Sequence, residues 1–166
     1  MIRYRPPQPA TSKHITENGF KVLKEELNFL WRVKRPEVTR AVSEAAALGD
    51  RSENAEYIYG KKQLREIDRR VRYLQKRIDD LIVVREPPSD LNKIYFGAWI
   101  TLEDDAGVEQ KVRIVGPDEI DTAKRWISID SPMAKALLKK AIDEDVIVNG
   151  PSGETHYVVT AVKYQE

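Results

Sequence analysis

The sequence predicts an α+β chain, with an N-terminal antiparallel coiled-coil hairpin followed by an antiparallel sheet domain carrying one short helix. Three observations carry this prediction. Apolar residues recur at coiled-coil spacing over residues 15–86. That pattern is interrupted once near its middle by Gly49, Asp50, Ser52 and Asn54, residues that favour turns and helix caps. From Lys93 onward the apolar period shortens to the alternation of strands.

The 166 residues suffice for one or two domains with a sizeable core, and their 33% charged content suits long exposed helices. The formal net charge of +1 hides an asymmetry. Residues 1–90 hold 19 Lys+Arg against 14 Asp+Glu, or +5, while residues 91–166 hold 9 against 13, or −4. The first half therefore suits nucleic acid, and the second a basic or neutral protein surface. With no cysteine, disulfides, thiol catalysis and cysteine-bound zinc are excluded. His14 and His156 lie in unrelated contexts and make no metal site by themselves. The N-terminus lacks the apolar run of a secretory signal, and no stretch approaches the roughly 20 apolar residues that cross a bilayer. A cytoplasmic protein without membrane contact is expected.

Residues 1–14, with three prolines and little that packs, read as a flexible tail whose arginines are solvated or touch a nucleic acid or an acidic partner. Thr16 is placed as the N-cap of the first helix, with Glu17 at its positive end. The seam of that helix runs Phe20, Leu23, Leu27 and Leu30, with Trp31 beside it, and resumes at Val38, Ala41, Ala45 and Leu48. Between the two parts, Leu30 to Lys34 to Val38 makes two consecutive steps of four. This stutter beside Pro36 predicts a kink or short break. The second helix keeps step through Tyr57, Gly60, Leu64, Ile67, Val71, Leu74, Ile78 and Leu81. From Asp50 to Arg85 it would span about 50 Å at about 1.5 Å per residue, and it must fold back on the first helix to bury its seam.

Pro87 and Pro88 open a linker over 87–92, which leads to a second domain over 93–166. There IYFGAWITLED and EQKVRIVG read as strands joined by a turn at Asp104-Asp105-Ala106-Gly107, and WISID reads as a third. SPMAKALLKK is a short helix with Ser131 as N-cap and Pro132 at its first position. DVIVNG and THYVVTAVKY, around the turn Gly150-Pro151-Ser152-Gly153, complete an antiparallel sheet.

Two constellations carry candidate chemistry. Asp50 and Glu53 are spaced D-x-x-E at the hairpin tip. One reading is a capping box, in which Asp50 caps the second helix and Glu53 reaches back. The other is a pair of hard oxygen ligands for Mg²⁺, which would need a partner to supply the rest of the shell. Lys62, Arg65, Arg69, Arg72 and Lys76 share an outward helix face, either a solvated coiled-coil surface or a rail for phosphates. Arg51 beside the carboxylates either contacts a phosphate or pairs with Glu53. Glycine-rich phosphate loops, zinc patterns and a plausible Ser-His-Asp arrangement are all lacking.

The tip GDRSENAEY, the basic run KKQLREIDRRVRYL, the strand FGAWI and the stretch ISIDSPMAKALLKK with its downstream P-S-G-E turn together resemble the Gre family of bacterial transcript cleavage factors. The resemblance covers nearly everything after the tail, which is longer than the family usually shows. It implies a coiled coil that enters the secondary channel of RNA polymerase and an FKBP-like domain that docks at the channel rim. It further implies a protein that is not itself an enzyme but stimulates the polymerase to cleave the extruded 3′ end of backtracked RNA. On this resemblance Asp50 and Glu53 help hold a second Mg²⁺, shared with the polymerase, and position the attacking water. The stripe, with Arg51, follows the RNA, Asp130, Ser131 and Pro132 dock to polymerase, and the bound form is a monomer. A channel-binding regulator without cleavage stimulation is the rival reading, and its tip would not require Asp and Glu at this spacing. A prolyl isomerase is suggested only by the fold of the second domain.

Overall fold

The structure is a computed structural model that describes residues 7–165. Elements follow in the order β1 (His14–Thr16), α1 (Glu17–Phe29), a π-helical turn (Leu30–Lys34), α2 (Arg35–Ala46), α3 (Ala55–Asp80) and β2 (Ile82–Val84). Next come β3 (Trp99–Asp104), β4 (Glu109–Val115), a 3₁₀ turn (Pro117–Glu119), β5 (Trp126–Ser128), α4 (Pro132–Leu137), β6 (Asp145–Gly150) and β7 (Gly153–Lys163). They form two compact units. Asn18–Leu81 makes the first, and the described residues up to 17 together with those from 82 onward make the second.

In the helical unit every expected seam position of α3 is buried or half-buried. Val38, Ile67 and Val71 form its buried centre, with Leu27, Leu30, Val42 and Leu64 packed around them. Burying a valine of this kind stabilises by roughly 1.5–3 kcal/mol. The break expected beside Pro36 is the π-helical turn, in which the Arg35 N–H donates to the Leu30 carbonyl five residues back. A π turn takes up one extra residue, which is what two consecutive steps of four require. Pro36 follows directly, inside a run that stays helical from Glu17 to Ala46, and the wider π turn before it makes room for a ring that lacks an N–H to donate.

Beyond that turn the seam differs from the sequence reading. Ala41 is exposed, and Leu48 is 78% exposed in the turn after α2. Val42 faces inward instead, because it lies against Gly60 of α3, where an added Cβ would meet its Cγ2 at 2.7 Å. The absent side chain of Gly60 is thus the hole that accepts Val42. Two partly exposed ion pairs, Arg35–Asp68 (2.7 Å) and the bidentate Arg70–Glu26 (2.7 and 2.9 Å), align the arms and add little stability.

In the second unit the sheet order is β5-β4-β3-β7-β6. Ile100, Leu102, Val112, Ile114 and Val159 from one sheet face pack with Ala134 and Leu137 of α4. The turn after β3 forms as expected, with Asp104 accepting the Ala106 and Val108 amides and Gly107 at φ +77°. Pairing is antiparallel throughout except between β4 and β5, which run parallel. The antiparallel sheet expected from the sequence is present, with this one parallel pair added. Residues 116–125 bring the chain back beside Arg113–Val115, the last part of β4, as a crossover, and apolar alternation carries no information about strand direction.

Two further corrections concern the ends of the hairpin. The helical pattern expected up to residue 86 stops at Asp80, because the β-branched run Ile82-Val83-Val84 forms β2. Its partner is β1, in parallel register from His14↔Ile82 to Thr16↔Val84. The flexible tail expected over 1–14 therefore ends earlier. The Ser12 N–H donates to Asp130 Oδ2 at 2.8 Å, and Ile15 is fully buried. Residues 1–6 of that expectation lie outside the described residues. Thr16 precedes α1 as expected, but its amide and hydroxyl donate to the Glu119 carboxylate. β1 lies so close to Gly116 that an added Cβ would sit 2.1 Å from the His14 carbonyl oxygen, so no side chain fits there. Among the described residues no helix is long and apolar enough to cross a membrane.

Candidate functional site

The tip is the turn between α2 and α3. The Ala47 and Leu48 amides close the last turn of α2 on the carbonyls of Ser43 and Ala45, at 3.2 Å each. Gly49 follows at φ +149°, a backbone setting that L side chains rarely adopt. Helix α3 then starts at Ala55 with Asn54 as its cap. The Asn54 side-chain oxygen accepts the Tyr57 N–H at 3.1 Å, and its amide donates to the Ala45 carbonyl at 2.7 Å. One side chain therefore caps α3 and ties it to the end of α2.

Because Asn54 holds the cap, neither carboxylate does, and the capping-box reading of Asp50 and Glu53 is corrected. Asp50 Oδ1 accepts both the amide (2.9 Å) and the hydroxyl (2.8 Å) of Ser52. These bonds, the amide first, hold the Asp50 carboxyl below the ordinary carboxylate range. Glu53 makes no side-chain hydrogen bond or ion pair among the described residues, and both acids are exposed. Arg51 lies with its guanidinium carbon 5.8 Å from the Tyr57 ring centroid rather than in an ion pair with Glu53.

Two hard, exposed, acceptor-only groups fit the chemistry of Mg²⁺, which needs only one or two protein carboxylates. Among the described residues no group of three or more His, Cys, Asp or Glu could hold a metal ion. The pair has use as ligands only where another molecule adds oxygens.

Lys62, Arg65, Arg69, Arg72 and Lys76 are all exposed on α3. At about 100° per residue they fall within an arc of about 80°, on the side of α3 opposite its seam. Arg72 reaches the Asp68 carbonyl at 3.4 Å, and the other four form no ion pair among the described residues. Two acids of the arm are paired with other residues, Asp68 with Arg35 and Glu26 with Arg70.

Asp130, Ser131 and Pro132 are placed differently. Ser131 caps α4 by accepting the Ala134 N–H at 3.1 Å, and Pro132 opens that helix. Asp130 receives the Ser12 amide, so all three residues also serve the fold. Ser131 lines a shallow concavity of about 460 Å³ with Ile120, Trp126, Ile127 and Met133 among its walls.

Sequence reasoning missed Asn54 and Ser52. The signal for Asn54 was present, since asparagine is among the strongest N-caps, but the D-x-x-E spacing drew the cap assignment to Asp50. Nothing in the spacing singles out Ser52 as the group that orients Asp50.

Two family descriptions match. "Transcription elongation factor, N-terminal" covers residues 13–83, and "Transcription elongation factor, GreA/GreB, C-term" covers residues 74–164. The chain is 58% identical over 164 residues to transcription elongation factor GreB of Pseudomonas aeruginosa, covering 99% of this chain and 98% of that one. It is 55% identical over 157 residues to the GreB of Pasteurella multocida, covering 95% and 99%. Transcription elongation factor GreB of Xanthomonas axonopodis is 55% identical over 165 residues, covering 99% of this chain and 98% of that one, in keeping with the likeness to GreB that the sequence shows. The solved structure of GreA factor homolog 1 from Thermus thermophilus is similar more loosely, with a TM-score of 0.42 and 24% identity over 90% of this chain and 97% of that one. The sequence relatives therefore carry the assignment.

Proposed function

The chain belongs to the GreA/GreB family of transcription elongation factors, and from that premise we propose that it stimulates the polymerase's own cleavage of backtracked RNA, with Asp50 and Glu53 as the working groups. The observation that carries the reading is at the tip. The fold closes the turn with Asn54 and leaves both carboxylates exposed, one oriented by Ser52 and the other without a partner.

In this reading the hairpin enters the secondary channel of RNA polymerase. Asp50 and Glu53 add oxygens to a Mg²⁺ ion that polymerase carboxylates hold only in part. Mg²⁺ held there would activate water and stabilise the oxygen that leaves in an in-line displacement. Asp50 offers the oxygen that Ser52 does not occupy. Glu53 accepts from the attacking water and orients it. The cationic face of α3 follows the phosphates of the extruded 3′ segment, an attraction that weakens with salt. The second unit docks at the channel rim through the 130–132 loop. Rim and tip contacts, each weak alone, then act through the high effective concentration that the shared chain imposes. The factor works as a monomer and has no nuclease activity of its own.

The test is to add the chain to a stalled, backtracked polymerase with Mg²⁺ and follow the RNA by length. Shortened transcripts with released 3′ fragments are expected. Binding to polymerase with no change in RNA length would contradict the reading and favour the channel-binding regulator.

A further inference from the structure

The sheet has a second face. Ile100, Val112 and Ile114 turn towards α4 and the core, so their neighbours Trp99, Thr101, Lys111 and Arg113 point the other way. Cross-strand register places Lys163 opposite Trp99, Trp99 opposite Arg113 and Arg113 opposite Trp126. The result is one row across β7, β3, β4 and β5 that alternates cation, indole, cation, indole. The Arg113 guanidinium carbon lies 4.7 and 4.9 Å from the two ring centroids, and Lys124 Nζ lies 4.8 Å from that of Trp126. In the next row Lys111 faces Thr101, and with Trp99, Ala161 and Lys163 they line a hollow of about 240 Å³.

Charge makes this arrangement unusual. Residues 91–166 carry 9 cations against 13 acids, yet Lys111, Arg113, Lys124 and Lys163 gather around the two indoles, with Lys124 in an ion pair to Asp121 at 3.9 Å. Lys111 and Lys163 are exposed and form no ion pair among the described residues. Like charges on one sheet face repel, and stacking of Arg113 on tryptophan explains only that residue's place. A face that keeps exposed lysines beside half-buried aromatic rings suits an anion that also carries flat rings. The hollow is smaller than the about 300–1,000 Å³ of a drug-sized ligand pocket, which suits one ring laid on the sheet rather than an enclosed molecule.

We propose that this outer face binds an unpaired nucleic-acid strand, with bases on Trp99 and Trp126 and phosphates at Lys111, Arg113, Lys124 and Lys163. Stacking platforms beside a cationic track bind single strands with little sequence preference. An acidic polypeptide would satisfy the lysines but leave the indoles unused.

The test uses the full chain with Trp31→Phe, so that indole fluorescence reports Trp99 and Trp126 alone. It also carries Lys62, Arg65, Arg69, Arg72 and Lys76 changed to Ala, so that the α3 face contributes nothing. Failure here is then separate from failure of the proposed cleavage role. Titration with a fluorescent oligouridylate should raise anisotropy and quench the indoles, with a log–log salt slope of about −2 to −3 for three or four phosphates. Adding Lys111→Ala and Lys163→Ala, both at exposed positions, should lower affinity roughly tenfold and shrink the slope by about 1.4. Absent quenching, binding that ignores the two lysines, or displacement by polyglutamate at lower concentration than by unlabelled oligouridylate would each overturn the proposal.

Discussion

The turn at 47–54 and the loop at 128–132 both precede a helix and both supply candidate contact residues, yet they use their polar groups in opposite ways. At the tip, Asn54 joins the two helices, the Asp50 carboxylate bonds only to Ser52 through one of its two oxygens, and Glu53 makes no side-chain bond among the described residues. Before α4, the candidate residues do the structural work themselves, Ser131 as cap and Asp130 as acceptor for the Ser12 amide. The difference teaches that a polar group whose fold leaves at least one oxygen unclaimed is the better candidate for chemistry with a partner. Substitutions should therefore separate function from stability at the tip and entangle them at the other loop.

The largest effect is expected from Asp50→Asn. Cleavage by backtracked polymerase should fall at least about a hundredfold, since losing even a ligand's supporting neighbour can cost that much. Its Tm should not move, and a fall in Tm with cleavage intact would reverse the comparison. Next comes Asn54→Ala, which removes both the cap and the tie to Ala45. It should cost about 1–2 kcal/mol in denaturant unfolding and lower cleavage about tenfold by loosening the turn that carries the acids.

Ser131→Ala should cost about 1 kcal/mol, and Ser131→Asp, which still caps, should not. Weaker polymerase binding by the Asp variant at unchanged stability would show that Ser131 also touches polymerase.

The smallest effect concerns His156. Its ring nitrogens lie 2.6 Å from Asp105 Oδ1 and 3.1 Å from Asp145 Oδ1, a pairing only the imidazolium satisfies with two donors. The hydrogen bond to Asp105 above all raises its pKa from the ordinary 6.5. That stabilisation is full below the ordinary value and is lost as pH rises through the folded one. Tm should drift down across that window in the unaltered chain and stay flatter in His156→Gln.

How much was legible follows the same division. The seam of α3 reads without error because its 3-4 spacing never slips, so helix geometry alone orients it. Across the π turn the reading fails at Ala41, since only the missing side chain of Gly60 on the other arm selects Val42. Strand β1 is three residues long and gains its identity from β2 and Gly116, partners far away in sequence. The helix pattern ran past Asp80 because Leu81 still fits its spacing, while Ile82-Val83-Val84 already belongs to a sheet. At the site, Asp50 and Glu53 stood out by chemistry and resemblance. Their freedom from capping became visible only once Asn54 was seen to bridge both helices.

The most direct test of the central claim is the Mg²⁺ dependence of cleavage with Glu53→Gln. If the tip adds oxygens to an ion shared with polymerase, the Mg²⁺ concentration for half-maximal cleavage should rise while Tm and polymerase binding stay unchanged. An unaltered Mg²⁺ dependence, or a loss of cleavage explained by a loss of stability, would contradict the account.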